Sequence, residues 1–91
     1  MQFEWDDDKA QANFAKHGVS FDEALSCFHD PMQIAFYDPD HSEDEERELL
    51  IGHSSQGRLL IVSYTLREPI IRLISARVTT RREAKTYAQG L

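Results

Sequence analysis

Arg58-Leu59-Leu60-Ile61-Val62-Ser63-Tyr64-Thr65-Leu66, then Arg67-Glu68-Pro69, then Ile70-Ile71-Arg72-Leu73-Ile74-Ser75-Ala76-Arg77-Val78 is the stretch on which the fold turns. Two runs rich in branched residues flank a three-residue link containing proline, the pattern of two antiparallel strands joined by a turn. Leu59 to Val62 is apolar at every position rather than every second one, which predicts a central strand covered on both faces. Working outward, Arg47–His53 reads as a strand ending at the turn Ser54-Ser55-Gln56-Gly57. Gln33–Asp38 reads as another, followed by the charged loop Asp38–Glu46. These runs with short links predict an antiparallel meander.

Upstream the period changes. Residues 2–5 form a short strand, and Asp6 is placed to cap a helix whose first turn carries Asp7 and Asp8, where the helix dipole favours negative charge. That helix runs to about His17, and Gly18 supplies a left-handed exit. Ser20-Phe21-Asp22-Glu23 is a capping box opening a second helix. Its residues Phe21, Ala24, Leu25 and Phe28 fall at i, i+3, i+4 and i+7, an apolar stripe that ends at Asp30-Pro31. Downstream, Thr80-Arg81-Arg82-Glu83 is a further capping box, with Ala84, Tyr87, Ala88 and Leu91 on the apolar face of a closing helix. The predicted order is β-α-α-β-β-β-β-α. This is an α+β domain: an antiparallel sheet with two helices on one face and a C-terminal helix.

Ninety-one residues make a single domain spanning 1–91. The lone Cys27 excludes an internal disulfide and fits a reducing cytoplasm. No basic segment followed by an apolar run opens the chain, and no apolar stretch is long enough to cross a bilayer, so neither export nor a membrane is expected. The net charge of -6 conceals a division: residues 1–57 carry fourteen acids and three bases, whereas residues 58–91 carry seven bases and two acids. Electrostatic footprints are local, so an acidic chain with a basic third retains the capacity to hold a polyanion.

The chemistry concentrates in that third. Strict alternation places Arg72 with Ile70 and Ile74 on one face of the last strand, and Arg77 with Ile71, Leu73 and Ser75 on the other. Guanidinium groups bind phosphate in a planar, bidentate way and stay charged. Each of these arginines either grips a phosphodiester or pairs with one of the many carboxylates. Arg81 and Arg82 flank a helix N-terminus, itself a site that favours anions; the alternative is that both face solvent. Lys16 and His17 close the first helix either as capping cations or, for His17, as a proton donor. Tyr87 sits on an apolar stripe, which favours packing.

Metal chemistry is not expected. Counted from Asp38, an EF-hand would need glycine sixth and glutamate twelfth, but Glu43 and Leu49 stand there. His29 and His53 have no ligand-type neighbours at metal spacing, and Cys27 has no adjacent cation to activate it. No cofactor motif is present.

Several blocks together resemble the BrnT-type toxins. They are Phe3-Glu4-Trp5-Asp6, Lys9, Asn13, Lys16-His17-Gly18-Val19-Ser20-Phe21, Glu23-Ala24, Asp30-Pro31, His41-Ser42-Glu43, Glu45-Glu46-Arg47, Ile51-Gly52, Gly57-Arg58-Leu59-Leu60, and Ile71-Arg72 with Ile74-Ser75-Ala76-Arg77, Thr80, Glu83 and Tyr87. The resemblance implies a RelE-like fold and a small ribonuclease of a type II toxin–antitoxin system. It further implies a ribbon-helix-helix antitoxin that alone contacts operator DNA and bridges toxins into a heterotetramer. Metal-independent attack by a ribose 2′-OH on the adjacent phosphorus would be the chemistry. On that reading Arg77 and Arg81 stabilise charge, and Arg58, Arg72 and Arg82 hold the RNA backbone. His17 or Lys16 handles a proton, and Glu83 or Tyr87 serves as base or support. The acidity of this chain departs from the basic character usual in such nucleases. A non-catalytic alternative is a protein-interaction module or transcriptional cofactor whose arginines receive an acidic peptide.

Overall fold

The computed structural model describes residues 2–38 and 46–90. In chain order the elements are β1 (Gln2–Glu4), α1 (Asp7–His17), α2 (Phe21–Ser26) with a 3-10 turn at Cys27–His29, β2 (Ile34–Tyr37), β3 (Arg47–His53), β4 (Leu59–Arg67), β5 (Ile70–Val78) and α3 (Arg81–Gln89). Residues 39–45 lie outside the described residues, so the metal reading of the acidic loop and its His41-Ser42-Glu43 block are not placed.

Local chemistry sets the helix limits. The Asp6 carboxylate accepts hydrogen bonds from the backbone N–H groups of Asp8 and Lys9, and Gly18 leaves α1 in the left-handed region at φ 68°. Ser20 caps α2 by accepting from the Glu23 N–H. The expected capping box stops halfway, because the Glu23 side chain turns away to Arg58 and Ser54. At α3 both halves of the box between Thr80 and Glu83 are present.

The sheet order is β1-β5-β4-β3-β2. β2 to β5 form the antiparallel meander expected, whereas β1 pairs with β5 in parallel and makes the sheet mixed. A three-residue strand followed directly by a helix has no hairpin partner and is free to add in parallel to an open edge. β4 is central, and its alternating sides explain its unbroken apolar run. Leu60, Val62 and Tyr64 join the main core with Val19, Phe21 and Leu73, while Ile61 joins Ile34 and Ile51 in a smaller cluster that Tyr87 of α3 covers. Phe28 bridges Phe3 and Tyr64 in edge-to-face contacts with centroids 5.0 and 5.1 Å apart.

Two further contacts fix the helical layer on the sheet. Gly52 of β3 passes so close to the Cys27 turn that a Cβ would sit 2.9 Å from the Cys27 carbonyl oxygen. Asn13, buried in α1, donates to the carbonyl oxygens of Val19 and Ala76 and accepts from the Ala76 N–H. β1 pairs only with residues 70–72 of β5. Asn13 therefore satisfies backbone groups of the upper part of β5, beyond the reach of β1.

Candidate active site

α1 and α2 cover one face of the sheet; the other carries α3 and, among the described residues, is otherwise open. Cross-strand register arranges that open face in rows. Arg47, Thr65 and Arg72 form one row, Leu49, Ser63 and Ser75 the next, and Ile51, Ile61 and Arg77 the third. β5 carries a bulge: Ser63 pairs with Ser75 and Tyr64 with Leu73, which leaves Ile74 without a partner. Simple alternation puts Arg72 and Arg77 on opposite faces. The extra residue shifts the phase, keeps Ile71, Leu73 and Ala76 in the main core and brings both arginines to the open face.

Arg77 anchors a cleft of about 280 Å3, lined by Asp38, Arg47, Leu49, Ile61, Ser63, Ser75, Arg77 and Glu83. Its Nη1 and Nη2 each donate to one oxygen of Glu83 at 2.8 Å, and Glu83 Oε1 also accepts from the Thr80 N–H at 2.9 Å. The capping box therefore does two things at once: it starts α3 and aims a carboxylate at the guanidinium. Arg77 holds the Glu83 carboxyl below its usual range, ahead of a weaker opposing effect of burial. Glu83 is thus ionised and a weak base near neutrality. It occupies the end-on fork of Arg77, and among the described residues the Nε–H has no acceptor. Nε and the outer hydrogen of Nη2 form a second parallel donor pair, the geometry a phosphate takes.

The remaining candidates do not converge on Arg77. Arg72 shares its face but pairs with Glu4 at 3.1 Å. Arg81 and Arg82 are exposed at the start of α3 and do not line the cleft, whereas Arg47 of β3 does. Arg58 lies on the helical side, where it donates to both carboxylate oxygens of Glu23 and to the Gly18 carbonyl. A direct hold on RNA at the Arg77 cleft is therefore closed to Arg58. Lys16 and His17 end α1, in the layer across the sheet from the cleft. Tyr87 donates to Asp30 Oδ2 at 2.6 Å, and this bond pushes its phenol up to about 12, which removes it as a base at neutral pH.

His53, which the sequence showed only to lack metal-spaced neighbours, has its Nδ1 3.1 Å from the Tyr87 hydroxyl, and its backbone N–H donates to Asp30. With the Tyr87 proton directed at Asp30, the Tyr87 oxygen is left to accept from Nδ1. This trio anchors the far end of α3. Arg47, which lines the cleft, and Asn13, which holds the backbone of Ala76 beside Arg77, are positions that carry no role in the sequence reading. Alternation marks Arg47 with Leu49 and Ile51; the register across β4 sets it in the row of Thr65 and Arg72, and it lines the same cleft as Arg77. A larger cleft of about 380 Å3 beside Phe14 is apolar and lined by no cation. Cys27 is buried, its thiol pushed up to about 12 by burial, and plays no part. Among the described residues no cluster of His, Cys, Asp and Glu is arranged to hold a metal.

An arginine-lined cleft at the junction of an ISAR strand and a capped helix is what the sequence resemblance leads one to look for. Residues 5–83 match the family described as the ribonuclease toxin, BrnT, of type II toxin–antitoxin systems. The chain belongs to that family. It is also similar to the Brucella abortus ribonuclease toxin BrnT, known from a crystal structure at 1.1 Å resolution. That similarity has a TM-score of 0.60 at 25% identity and covers 89% of this chain and 99% of the other. No curated protein matches the chain. The protein is thus a ribonuclease toxin of a type II module, which implies a cognate antitoxin. The mixed five-stranded sheet with three helices is the α+β fold of that relative. No helix among the described residues is long and apolar enough to cross a membrane.

Proposed function

We propose that this toxin is an endoribonuclease that cleaves RNA by metal-independent transesterification in the Arg77 cleft. The ribose 2′-oxygen attacks the adjacent phosphorus and loses its proton to a base; the bond from phosphorus to the 5′-oxygen breaks, and that oxygen takes up a proton. Products end in a 2′,3′-cyclic phosphate and a 5′-hydroxyl. Negative charge grows on the non-bridging oxygens as phosphorus becomes five-coordinate. Arg77 meets it through the Nε and Nη2 edge, and Arg47 supports it from across the cleft. Guanidinium groups here supply the positive charge that a divalent ion supplies in other nucleases.

The observation that carries this reading is the end-on pinning of Arg77 by Glu83. A pinned guanidinium is held ready and does not reorganise when charge develops. Glu83 is a positioning residue first. Its depressed proton affinity makes it an inefficient base, although an incoming phosphate that draws Arg77 away would raise that affinity. Ser63 and Ser75 line the floor and offer hydroxyls to the ribose.

The antitoxin we infer is a ribbon-helix-helix DNA-binding protein that bridges two toxins in a heterotetramer and carries the contacts to operator DNA. The acidic first turns of α1 and α2 make the helical face of the toxin a poor surface for DNA. The cytoplasm, where RNA is the available polyanion, is the compartment this reading requires.

Purified toxin incubated with RNA in excess chelator tests the reaction. Fragments ending in 2′,3′-cyclic phosphate are expected, and addition of the co-purified product of the neighbouring gene should suppress them. Intact RNA, or cleavage abolished by the chelator and restored by one added divalent metal, would remove the proposed mechanism.

A further inference from the structure

We infer that the open face carries a second phosphate-binding subsite, built by Arg72 and Thr65, which grips the RNA roughly two linkages away from the bond cleaved at Arg77. This inference rests on the proposed cleavage site and adds to it the conformation of the substrate: an extended single strand.

Three observations converge on the row of Arg72 and Thr65. The bulge at Ile74 turns Arg72 to the face of Arg77, an arrangement that strict alternation would forbid. Along the unbulged β4 the partners of Arg77 and Arg72 are Ile61 and Thr65, four residues apart, or about 13 Å at the usual strand rise. An extended single strand covers that distance in roughly two phosphodiester steps, whereas a stacked duplex could not follow the strand so closely. The third observation is Thr65 itself. It is 3% exposed, and among the described residues its hydroxyl has no hydrogen-bond partner. A buried hydroxyl without a partner is costly unless something else satisfies it, and here it lies beside Arg72 in the same cross-strand row.

Arg72 retains the capacity for the task. Among the described residues its guanidinium pairs with Glu4, Nη1 to Oε1 at 3.1 Å, with both side chains about one-third or more exposed. Nε and Nη2 have no acceptor among the described residues, so a phosphate oxygen can be taken on the side-on edge while Glu4 holds the other. Ser63 and Ser75 fill the row between the two arginines and present neutral donors to the intervening nucleotide.

The experiment measures binding rather than turnover. A single-stranded oligoribonucleotide with a 2′-deoxy sugar at the cleavage position is titrated against wild type, R72A, E4Q and T65V. A neutral methylphosphonate is moved through each linkage in turn. R72A is expected to weaken binding about tenfold, the worth of one charge-assisted contact, and to lower the salt dependence by about 0.7 in log–log slope. A methylphosphonate two linkages from the cleavage position should weaken wild type equally and leave R72A no worse. E4Q frees the guanidinium and should bind as tightly as wild type or tighter; T65V should fall between wild type and R72A. Losses from R72A and every methylphosphonate that simply add would overturn the subsite while leaving the cleavage site standing. So would equal weakening by E4Q and R72A, because that identifies the Glu4 pair as merely structural. Wild-type protein that neither binds nor cleaves RNA would remove both readings.

Discussion

The two faces of the sheet each hold an arginine bidentate to a glutamate, yet the two pairs are built for different tasks. Arg58 engages Glu23 side-on, through Nε and Nη2, and spends a further donor on the Gly18 carbonyl. The Glu23 side chain is 2% exposed and also accepts from Ser54. Arg77 engages Glu83 end-on, and the Glu83 side chain is 22% exposed. The first pair has its binding edge closed and joins α2 to the start of β4. The second keeps its binding edge open above a cleft. An arginine that is paired is therefore not thereby retired from function; which edge the pairing uses decides.

The sharpest break of this comparison is functional. R77A should lower the rate of RNA cleavage by about 100- to 1000-fold, the usual loss for one donor to a developing oxyanion, while the unfolding midpoint moves by only a few degrees. R58A should do the converse. It leaves the Glu23 carboxylate buried without its cation, so the midpoint should fall by roughly 10–20 °C, while the protein still folded cleaves RNA at the wild-type rate. Thermal melts and single-turnover cleavage on the same preparations decide both. A large rate loss in R58A at a temperature where it is fully folded would put the two pairs in one site after all.

Asn13 tests whether the faces are independent. It belongs to the helical layer, but its amide holds both backbone groups of Ala76, the residue next to Arg77. N13A strands those buried groups and should cost about 2–3 kcal/mol in urea unfolding. It should also blunt cleavage several-fold, because the strand that presents Arg77 is no longer fixed. Stability lost with no change in rate would show that Asn13 acts on the fold alone.

Much of this architecture is legible in the sequence because it depends on near neighbours. The caps at Asp6, Ser20 and Thr80, the exit at Gly18 and the central strand through Leu59–Val62 follow from spacing a few residues long. The parts that are not legible depend on distant partners. No glycine or proline marks the bulge at Ile74, so the phase of β5 cannot be read, and Arg72 falls on the wrong face. Glu23 sits at the right position to close a capping box and instead follows a stronger attraction to Arg58, a residue 35 positions away. Arg47 is recognisable as a strand residue in phase with Leu49 and Ile51, but its place in the row of Thr65 and Arg72, on the face of Arg77, requires the register across β4. In each case the local rule was sound and a tertiary contact outweighed it.

The smallest effect is the most diagnostic of how each carboxylate is held. In wild type, Arg58 pulls the Glu23 carboxyl below its ordinary value of 4.5, against the opposing effect of burial. A group whose proton affinity is lowered by folding stabilises the folded state above its unfolded value and loses that contribution as the pH falls through the folded value. Wild-type stability should therefore decline on acidification below about 4.5. Removing Arg58 leaves burial as the dominant influence on Glu23 and reverses the sign. The carboxyl then binds its proton more tightly folded than unfolded, so R58A should regain stability relative to wild type as the pH drops. The two urea-unfolding curves should converge toward pH 3–4. For R77A the convergence should be shallower, because Glu83 is partly solvated and keeps the Thr80 N–H as a partner. Parallel pH profiles for R58A and wild type would mean that Glu23 is not held by Arg58, and the contrast between a closed and an open pair would lose its basis.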